Sequence, residues 1–264
     1  MQLDYVLLDP TGNLTILVET PVPAADQPFC ASALLAAEPT AEQVGFLSPG
    51  GKDWEIALRM AGGEFCGNAT MSAAALFCES AGRTGTIRVR ASGATEPVPV
   101  EIGRAPEGTG YTGAVDMPRP AAVEIVMLEA EGRNFRLPLL RFDGISHLIL
   151  RENMERGFAE RAIRRWCEQL LVDGLGLMLL DETAHRLTPL VYVPGGDTMY
   201  WEHSCASGTA AAGAFLAQTG GRRVDLRFAE PGGTLGVSAV PGGAVILRGE
   251  VKILHRSCLN VEFS

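Results

Sequence analysis

The sequence predicts an α/β (α+β) protein of two pseudo-symmetric domains, each made of strands wrapped around one buried helix. Three observations carry this. Phe65–Cys78 and Ser204–Gly220 contain no charged residue at all, and a helix that is apolar around its whole circumference belongs inside a core. The two stretches echo each other: aligning Cys66 with Cys205 places Asn68 on Ser207 and Thr70 on Thr209. The same offset carries Gly82-Arg83 onto Gly221-Arg222, Ile87-Arg88-Val89 onto Leu226-Arg227-Phe228, and Gly93 onto Gly232. Finally, short runs of branched and apolar residues flank both stretches, as strands around a helix require.

In chain order, Leu3 to Leu8 reads as a strand, and Asp9-Pro-Thr-Gly-Asn13 as a turn of Asx and Gly residues. Leu14 to Val18 is a second strand, and Ala24 to Leu35 carries helix formers. Thr40 to Leu47 leads into another strand, and Trp54 to Met60 follows after a Gly-rich turn. Cys66 opens the first charge-free helix, which Gly82 terminates as a C-terminal cap. Thr84 to Ile102 returns as two strands joined at Ser92-Gly93. Met117-Pro-Arg-Pro120 is the candidate hinge, giving domains 1–117 plus 251–264 and 118–250.

Beyond the hinge, Val123 to Leu128, Phe135 to Leu140 and Gly144 to Leu150 read as strands. Glu155 to Leu171 has helical periodicity through Phe158, Ile163, Trp166 and Leu170. Gly176 to Leu180 and Thr188 to Val193 are strands. Cys205 opens the second charge-free helix, ending at Gly220-Gly221, and strands fill the rest.

Composition narrows the function. The 264 residues, 47% hydrophobic and 20% charged, describe a soluble globular protein. A net charge of −9 argues against nucleic acid or an anionic membrane as partner. No secretory signal and no membrane-spanning run is recognisable, so the expected location is the cytoplasm. The six cysteines are scattered without a Cys-x-x-Cys pair, and reduced thiols are expected. His147, His185, His203 and His255 lie far apart, so no metal site is expected. Lysine occurs only at Lys52, in a Gly-Gly-Lys-Asp turn, and Lys252, in an apolar run. Neither context suits a Schiff-base lysine, and Gly174-Leu-Gly-Leu-Met-Leu lacks the third glycine of a dinucleotide fingerprint.

The paired cysteines carry the chemistry. A helix N-terminus offers unpaired N–H groups and about half a positive charge, which lowers the pKa of a thiol placed there and holds a carboxylate. Two such starts acting on one amino acid place a sulfur on each face of its Cα. One thiolate removes the α-proton while the opposite thiol protonates the other face, which inverts the centre. A cysteine hydrolase needs an aimed histidine; His203 stands two residues from Cys205, and that reading leaves Cys66 without a role. Cys30, Cys78, Cys167 and Cys258 read as structural. A non-enzymatic amino-acid-binding protein on the same fold is the competing class.

Phe65-Cys-Gly-Asn68 and Ser204-Cys-Ala-Ser-Gly208 resemble the two catalytic motifs of the diaminopimelate epimerase family of cofactor-independent racemases and epimerases. The resemblance implies two barrel-like sheets, each around a central helix, an active site between the domains, and a homodimer. It implies Cys66 and Cys205 as base and acid, and backbone N–H groups of Gly67, Asn68, Ala206 and Ser207 as the holders of the α-carboxylate. Asn13 is implied as a further substrate contact. The Tyr-Glu-Arg-Gly segment of diaminopimelate epimerase is missing before Cys205, and Ile145 stands where that family has asparagine, though His147 keeps its histidine.

Five blocks in order resemble more closely the histidine racemases of opine-metallophore (staphylopine-type) biosynthesis: Pro10–Val18, Glu42–Phe46, Gly63–Ser72, Trp201–Thr209 and Pro231–Gly233. That resemblance implies L-/D-histidine as substrate, no cofactor, and Glu42, Glu202 and His147 as contacts to its amine or imidazole. Racemisation of another amino acid, or epimerisation of diaminopimelate, is the alternative. Proline racemases have a histidine where Asn68 stands, and phenazine-type isomerases lack the cysteine pair.

Overall fold

A computed structural model of the chain describes residues 1–106 and 108–262. The chain divides into two compact units, Met1–Asp116 with Arg248–Ser264, and Met117–Leu247. The first begins with β1 (Gln2–Pro10) and β2 (Thr15–Val18), then α1 (Gln27–Ala37), β3 (Gln43–Pro49) and β4 (Ile56–Met60). The charge-free helix follows as α2 (Gly67–Ala81), and then come β5 (Gly85–Ala91), β6 (Val98–Arg104) and β7 (Tyr111–Met117).

Strands β1 to β7 neighbour one another in chain order. The β2–β3 and β4–β5 pairs are parallel, each bridged by a helix, and the other consecutive pairs with register β1–β2, β3–β4, β5–β6 and β6–β7 are antiparallel. The last strand of the chain, Val245–Asn260, neighbours β7 and also pairs with β1, from Pro10↔Val251 to Gln2↔Asn260. This closes the sheet into a barrel, and a closed sheet has no open edge. Helix α2 packs against β1, β2, β4, β5 and β6. Every residue from Gly67 to Leu76 is buried. Its alanines and serine are what a helix ringed by strands needs, because larger side chains would not fit the packed interior. Outside, α1 covers β1–β3 through Cys30, Ala31 and Leu34.

The second unit contains β8 (Ala122–Ala130), β9 (Arg133–Arg141), β10 (Ser146–Leu150), α3 (Arg156–Leu170), β11 (Leu175–Asp181) and β12 (Arg186–Val193). It continues with β13 (Thr198–Trp201), α4 (Ala206–Gly220), β14 (Val224–Glu230) and β15 (Gly233–Ala239), and the final strand β16 (Val245–Asn260) starts here. The order is β15-β14-β12-β11-β10-β9-β8, with β13 attached to β12. Helix α4 packs on β9, β10, β11, β14 and β15, while α3 packs on β8, β11 and β12. Trp166, Ile163 and Ala159 anchor α3 in an apolar cluster with Leu139, Leu148, Leu175 and Leu177. Trp166 is fully buried and meets Phe135 edge-on at 5.1 Å.

The two charge-free helices end alike. Gly82 (φ 63) and Gly221 (φ 62) adopt the left-handed conformation, which glycine enters without steric cost. Two strands were not anticipated. In β7, burial alternates from Tyr111 to Met117, a short period-2 pattern adjoining the Met117-Pro-Arg-Pro120 segment. In β13 the strand follows a tight turn at Pro194–Gly196 and a left-handed Asp197 (φ 46), a hairpin that pairs Leu190 with Trp201.

Candidate active site

Each unit presents a cysteine as the N-cap of its buried helix. Cys66 (φ −128, ψ 115) and Cys205 (φ −120, ψ 103) both hold the extended conformation that turns a chain into a helix. Each sulfur folds back over the first turn and accepts an N–H three residues on, from Ala69 at 3.4 Å and from Gly208 at 3.3 Å. Sulfur thus takes the capping place usually filled by a serine or aspartate oxygen. A Cβ at Gly208 would lie 3.1 Å from the Cys205 sulfur and 2.2 Å from Met178 Sδ, so only glycine fits there.

Around Cys66 the polar groups form a chain. Its Sγ–H donates to Gln43 Oε1 at 3.2 Å. The amide nitrogen of Gln43 donates to Asn13 Oδ1 (2.5 Å) and Thr15 Oγ1 (2.8 Å). Asn13 Nδ2 in turn donates to Glu42 Oε2 at 2.7 Å. With both amide hydrogens of Gln43 engaged, its oxygen is the atom facing the sulfur, and that bond carries the proton on sulfur. The parallel register Thr15↔Gln43 sets this up by bringing the turn after β1 beside the start of β3. Asn13 is buried and Glu42 half-buried. The structure therefore gathers Asn13, Glu42 and Cys66 in one network.

Cys205 sits differently. It is 4% exposed, and its Sγ lies 3.6 Å from Ser207 Oγ. Burial pushes its thiol well above the usual cysteine range, and Glu202 and Glu230 push it further. The helix N-terminus was expected to lower the pKa of such a thiol. At Cys205 desolvation, with the Glu202 and Glu230 side chains adding to it, outweighs the helix dipole, so Cys205 rests as a thiol. Glu202 hydrogen-bonds to Cys205. Its place is fixed by β13, which also brings Ser204 and Cys205 to the start of α4. His203, the base a hydrolase would need, is exposed.

His147 is fully buried on β10. Neither ring nitrogen has a hydrogen-bond partner among the described residues, and Phe142 meets the ring edge-on at 5.7 Å. Burial lowers its pKa to about 3, so it is a neutral imidazole at neutral pH. Gly176, its register partner on β11, leaves the space it fills: a Cβ there would stand 2.2 Å from Nδ1.

Sequence reasoning missed two residues at these sites. Gln43 lies inside the Glu42–Phe46 block, and its signal was a polar residue directly following a candidate contact. Glu230 accepts from the Cys205 backbone N–H at 2.7 Å and from Thr209 Oγ1. Its signal was a carboxylate at an inward position of a strand, after Phe228 in the alternating pattern of β14.

Comparisons with known proteins place the chain in a family and a fold. A family model described as the histidine racemase CntK N-terminal domain matches residues 2–254. A histidine racemase of Fusobacterium nucleatum is 30% identical over 227 residues, 81% of each chain. One of Staphylococcus aureus is 28% identical over 252 residues, 90% of this chain and 88% of its own. Among solved structures, a predicted epimerase of Pseudomonas aeruginosa has a TM-score of 0.72 at 18% identity, covering 98% of this chain and 99% of its own. A hydroxyproline epimerase of Agrobacterium vitis, solved with trans-4-hydroxy-L-proline, has a TM-score of 0.67 at 12% identity, covering 98% and 92%. These structures share the epimerase-type fold. With a family model matching nearly its whole length, the chain belongs to the histidine racemase family.

Proposed function

We propose that this protein interconverts L- and D-histidine without a cofactor, using Cys66 and Cys205 as the acid–base pair at Cα. The observation that carries the reading is the repetition of one device: a cysteine N-cap on a buried, charge-free helix, once in each unit. Inversion needs two groups, one for each face of the substrate carbon, and each unit supplies one. In the direction that begins with Cys205 as thiol, Cys66 first releases to solvent the proton it holds toward Gln43; as thiolate it then takes the α-proton, and Cys205 delivers its own to the opposite face. The reverse reaction exchanges the roles, and the two sulfurs titrate as a coupled pair.

First-turn N–H groups of a helix have no intrahelical carbonyl to bond. Those of Gly67 and Asn68, and of Ala206 and Ser207, are the proposed cradle for the α-carboxylate. Glu42, aligned by Asn13, is assigned to the substrate's ammonium or imidazolium, and Glu202 and His147 are the further proposed contacts. The same reading makes the enzyme independent of pyridoxal phosphate, because Lys52 and Lys252 are both exposed, one in a turn and one on β16. It also places the enzyme in the cytoplasm as a homodimer that supplies D-histidine to metallophore synthesis.

The test is proton exchange in D₂O with a panel of L-amino acids, read by NMR and chiral chromatography. Deuterium at Cα together with D-histidine, with no cofactor added, is the expected result. Exchange with a different amino acid alone would keep the two-thiol chemistry and discard histidine. No exchange from reduced, folded protein would overturn the racemase reading.

A further inference from the structure

We propose that Glu230 is a positioning residue for Cys205: it fixes the sulfur at the start of α4, and its own charge state governs how readily that sulfur ionises. The proposal rests on the assignment of Cys205 as one of the two acid–base groups.

The geometry is specific. Glu230 is 7% exposed, on the last residue of β14. One carboxyl oxygen takes the backbone N–H of Cys205 at 2.7 Å, and the other takes the hydroxyl of Thr209. Cys205 is the N-cap of α4 and Thr209 the fourth residue of the helix, so the carboxyl ties both ends of the first turn. Behind it, Pro231 and Gly232 turn the chain, and the Gly232 N–H bonds to His203 O at 2.7 Å. The segment that leads into Cys205 is thereby tied to the same hairpin.

The equivalent place in the first unit lacks this device. There the repeat puts Ala91 where Glu230 stands. Thr70 Oγ1 turns back to Cys66 O at 2.7 Å, and Ser92 Oγ donates to Glu64 O at 2.7 Å. The hairpin tie is kept and the carboxyl is not. A buried carboxyl is costly in a core, and helix closure does not need one, since α2 closes without it. Its presence at one thiol only therefore points to chemistry.

The charged surroundings are sparse. Helix α4 and strand β15 bring no charged side chain, and the loop before α4 brings Glu202 and the exposed His203. On β12 the nearest charge is Arg186, exposed and in register with Ala229, whose side chain points away from that of Glu230. Burial is the main cause that raises Glu230 to about 8, and Glu202 adds to it, against the bonds from Thr209 and Cys205. Glu230 is therefore a neutral acid at neutral pH. Once it loses its proton to solvent in mild alkali, a negative charge stands beside Cys205 and opposes formation of the thiolate.

The test uses the whole chain with Glu230→Gln, which keeps an acceptor for the Cys205 N–H, and Thr209→Val, which keeps the carboxyl and removes its hydroxyl partner. Alkylation by iodoacetamide is followed from pH 6.5 to 9.5 by peptide mass spectrometry, with Cys66 as internal reference, beside kcat and KM for L-histidine. In Glu230→Gln the Cys205-to-Cys66 labelling ratio is expected to match wild type at pH 6.5 and exceed it about tenfold at pH 9, a shift of about one unit in the thiol. Thr209→Val should move the same way by less, because removing the hydroxyl keeps Glu230 neutral to higher pH. The alkaline limb of kcat should move with the labelling while KM stays unchanged. Labelling curves that superimpose on wild type in both variants, or that fall uniformly at every pH without changing shape, would overturn the proposal. If the labelling shifts but wild type racemises no amino acid, the racemase assignment fails and the control of Cys205 by Glu230 stands.

Discussion

The two cysteine caps are alike in backbone and unlike in surroundings. Cys66 is half-buried and faces the neutral amide of Gln43, itself tied to Asn13 and Thr15. Cys205 is buried and meets two acidic side chains: Glu202, and Glu230, which is a neutral acid at neutral pH. The duplicated device supplies the symmetry that a reversible proton transfer needs, and the surroundings break it. A racemase acts on two different enantiomers, so it has no requirement for identical thiols. The proposed two-thiol chemistry requires instead that each sulfur hold or release a proton when the substrate presents the matching face. The comparison teaches that the helix cap places the sulfur, while residues from distant strands set its proton.

The strongest way to break this comparison is to remove either sulfur. Cys66→Ala and Cys205→Ala should each lower racemisation by at least about 10³-fold, the scale of general acid–base catalysis, measured by chiral chromatography, with the fold intact by circular dichroism. Substantial racemisation by both single variants would defeat the two-thiol mechanism.

The next effect is on stability and should appear in the second unit. Glu230 is raised from about 4.5 to about 8 in the folded state. The folded protein thus binds a proton the unfolded chain has released, and stability is lost as pH rises through that window. Relative to wild type, Glu230→Gln should gain on the order of 3 kcal/mol between pH 5 and pH 7.5, measured by urea unfolding at each pH. An unchanged difference across that range would mean the carboxyl is ionised throughout.

His147 acts in the opposite sense. Its folded pKa is lowered from 6.5 to about 3, so the unfolded state takes up a proton that the folded state refuses. Stability should fall by about 2 kcal/mol from pH 6.5 to pH 5, and His147→Leu should remove that slope. The same urea titration checks it, and a slope that survives the substitution would assign it to other groups.

Smaller effects sharpen the contrast. Gln43→Leu removes the acceptor of the Cys66 proton and two donors, and should lower kcat roughly tenfold, the scale of one buried hydrogen bond. Ser207→Ala removes only a 3.6 Å contact to Cys205 and should cost no more than about threefold. Steady-state kinetics in both directions measures both. If Ser207→Ala costs more than Gln43→Leu, the ranking of the two surroundings is reversed.

How much of this was legible before folding follows a physical divide. Charge-free circumference, glycine caps and the matched cysteines are local features, set by side-chain chemistry and helix periodicity. They announced α2 and α4, the strands around them and the sulfurs at their starts. The short strands β7 and β13 escaped because a four- to seven-residue alternation is weak beside a proline-rich segment or a tight turn. Gln43 and Glu230 were invisible for a different reason. Their partners lie 23 and 25 residues away along the chain, and only strand order and hairpin register bring them together.

The sequence by itself determined that two cysteines would cap two buried helices, because apolar periodicity and small residues leave those stretches no other stable place. The tertiary structure alone decided what each sulfur faces. The pairing of β2 with β3 brings an amide to Cys66. The turn between β14 and β15 brings a carboxyl to Cys205. Desolvation, a property of the folded interior and of no single residue, then decided that Cys205 rests protonated.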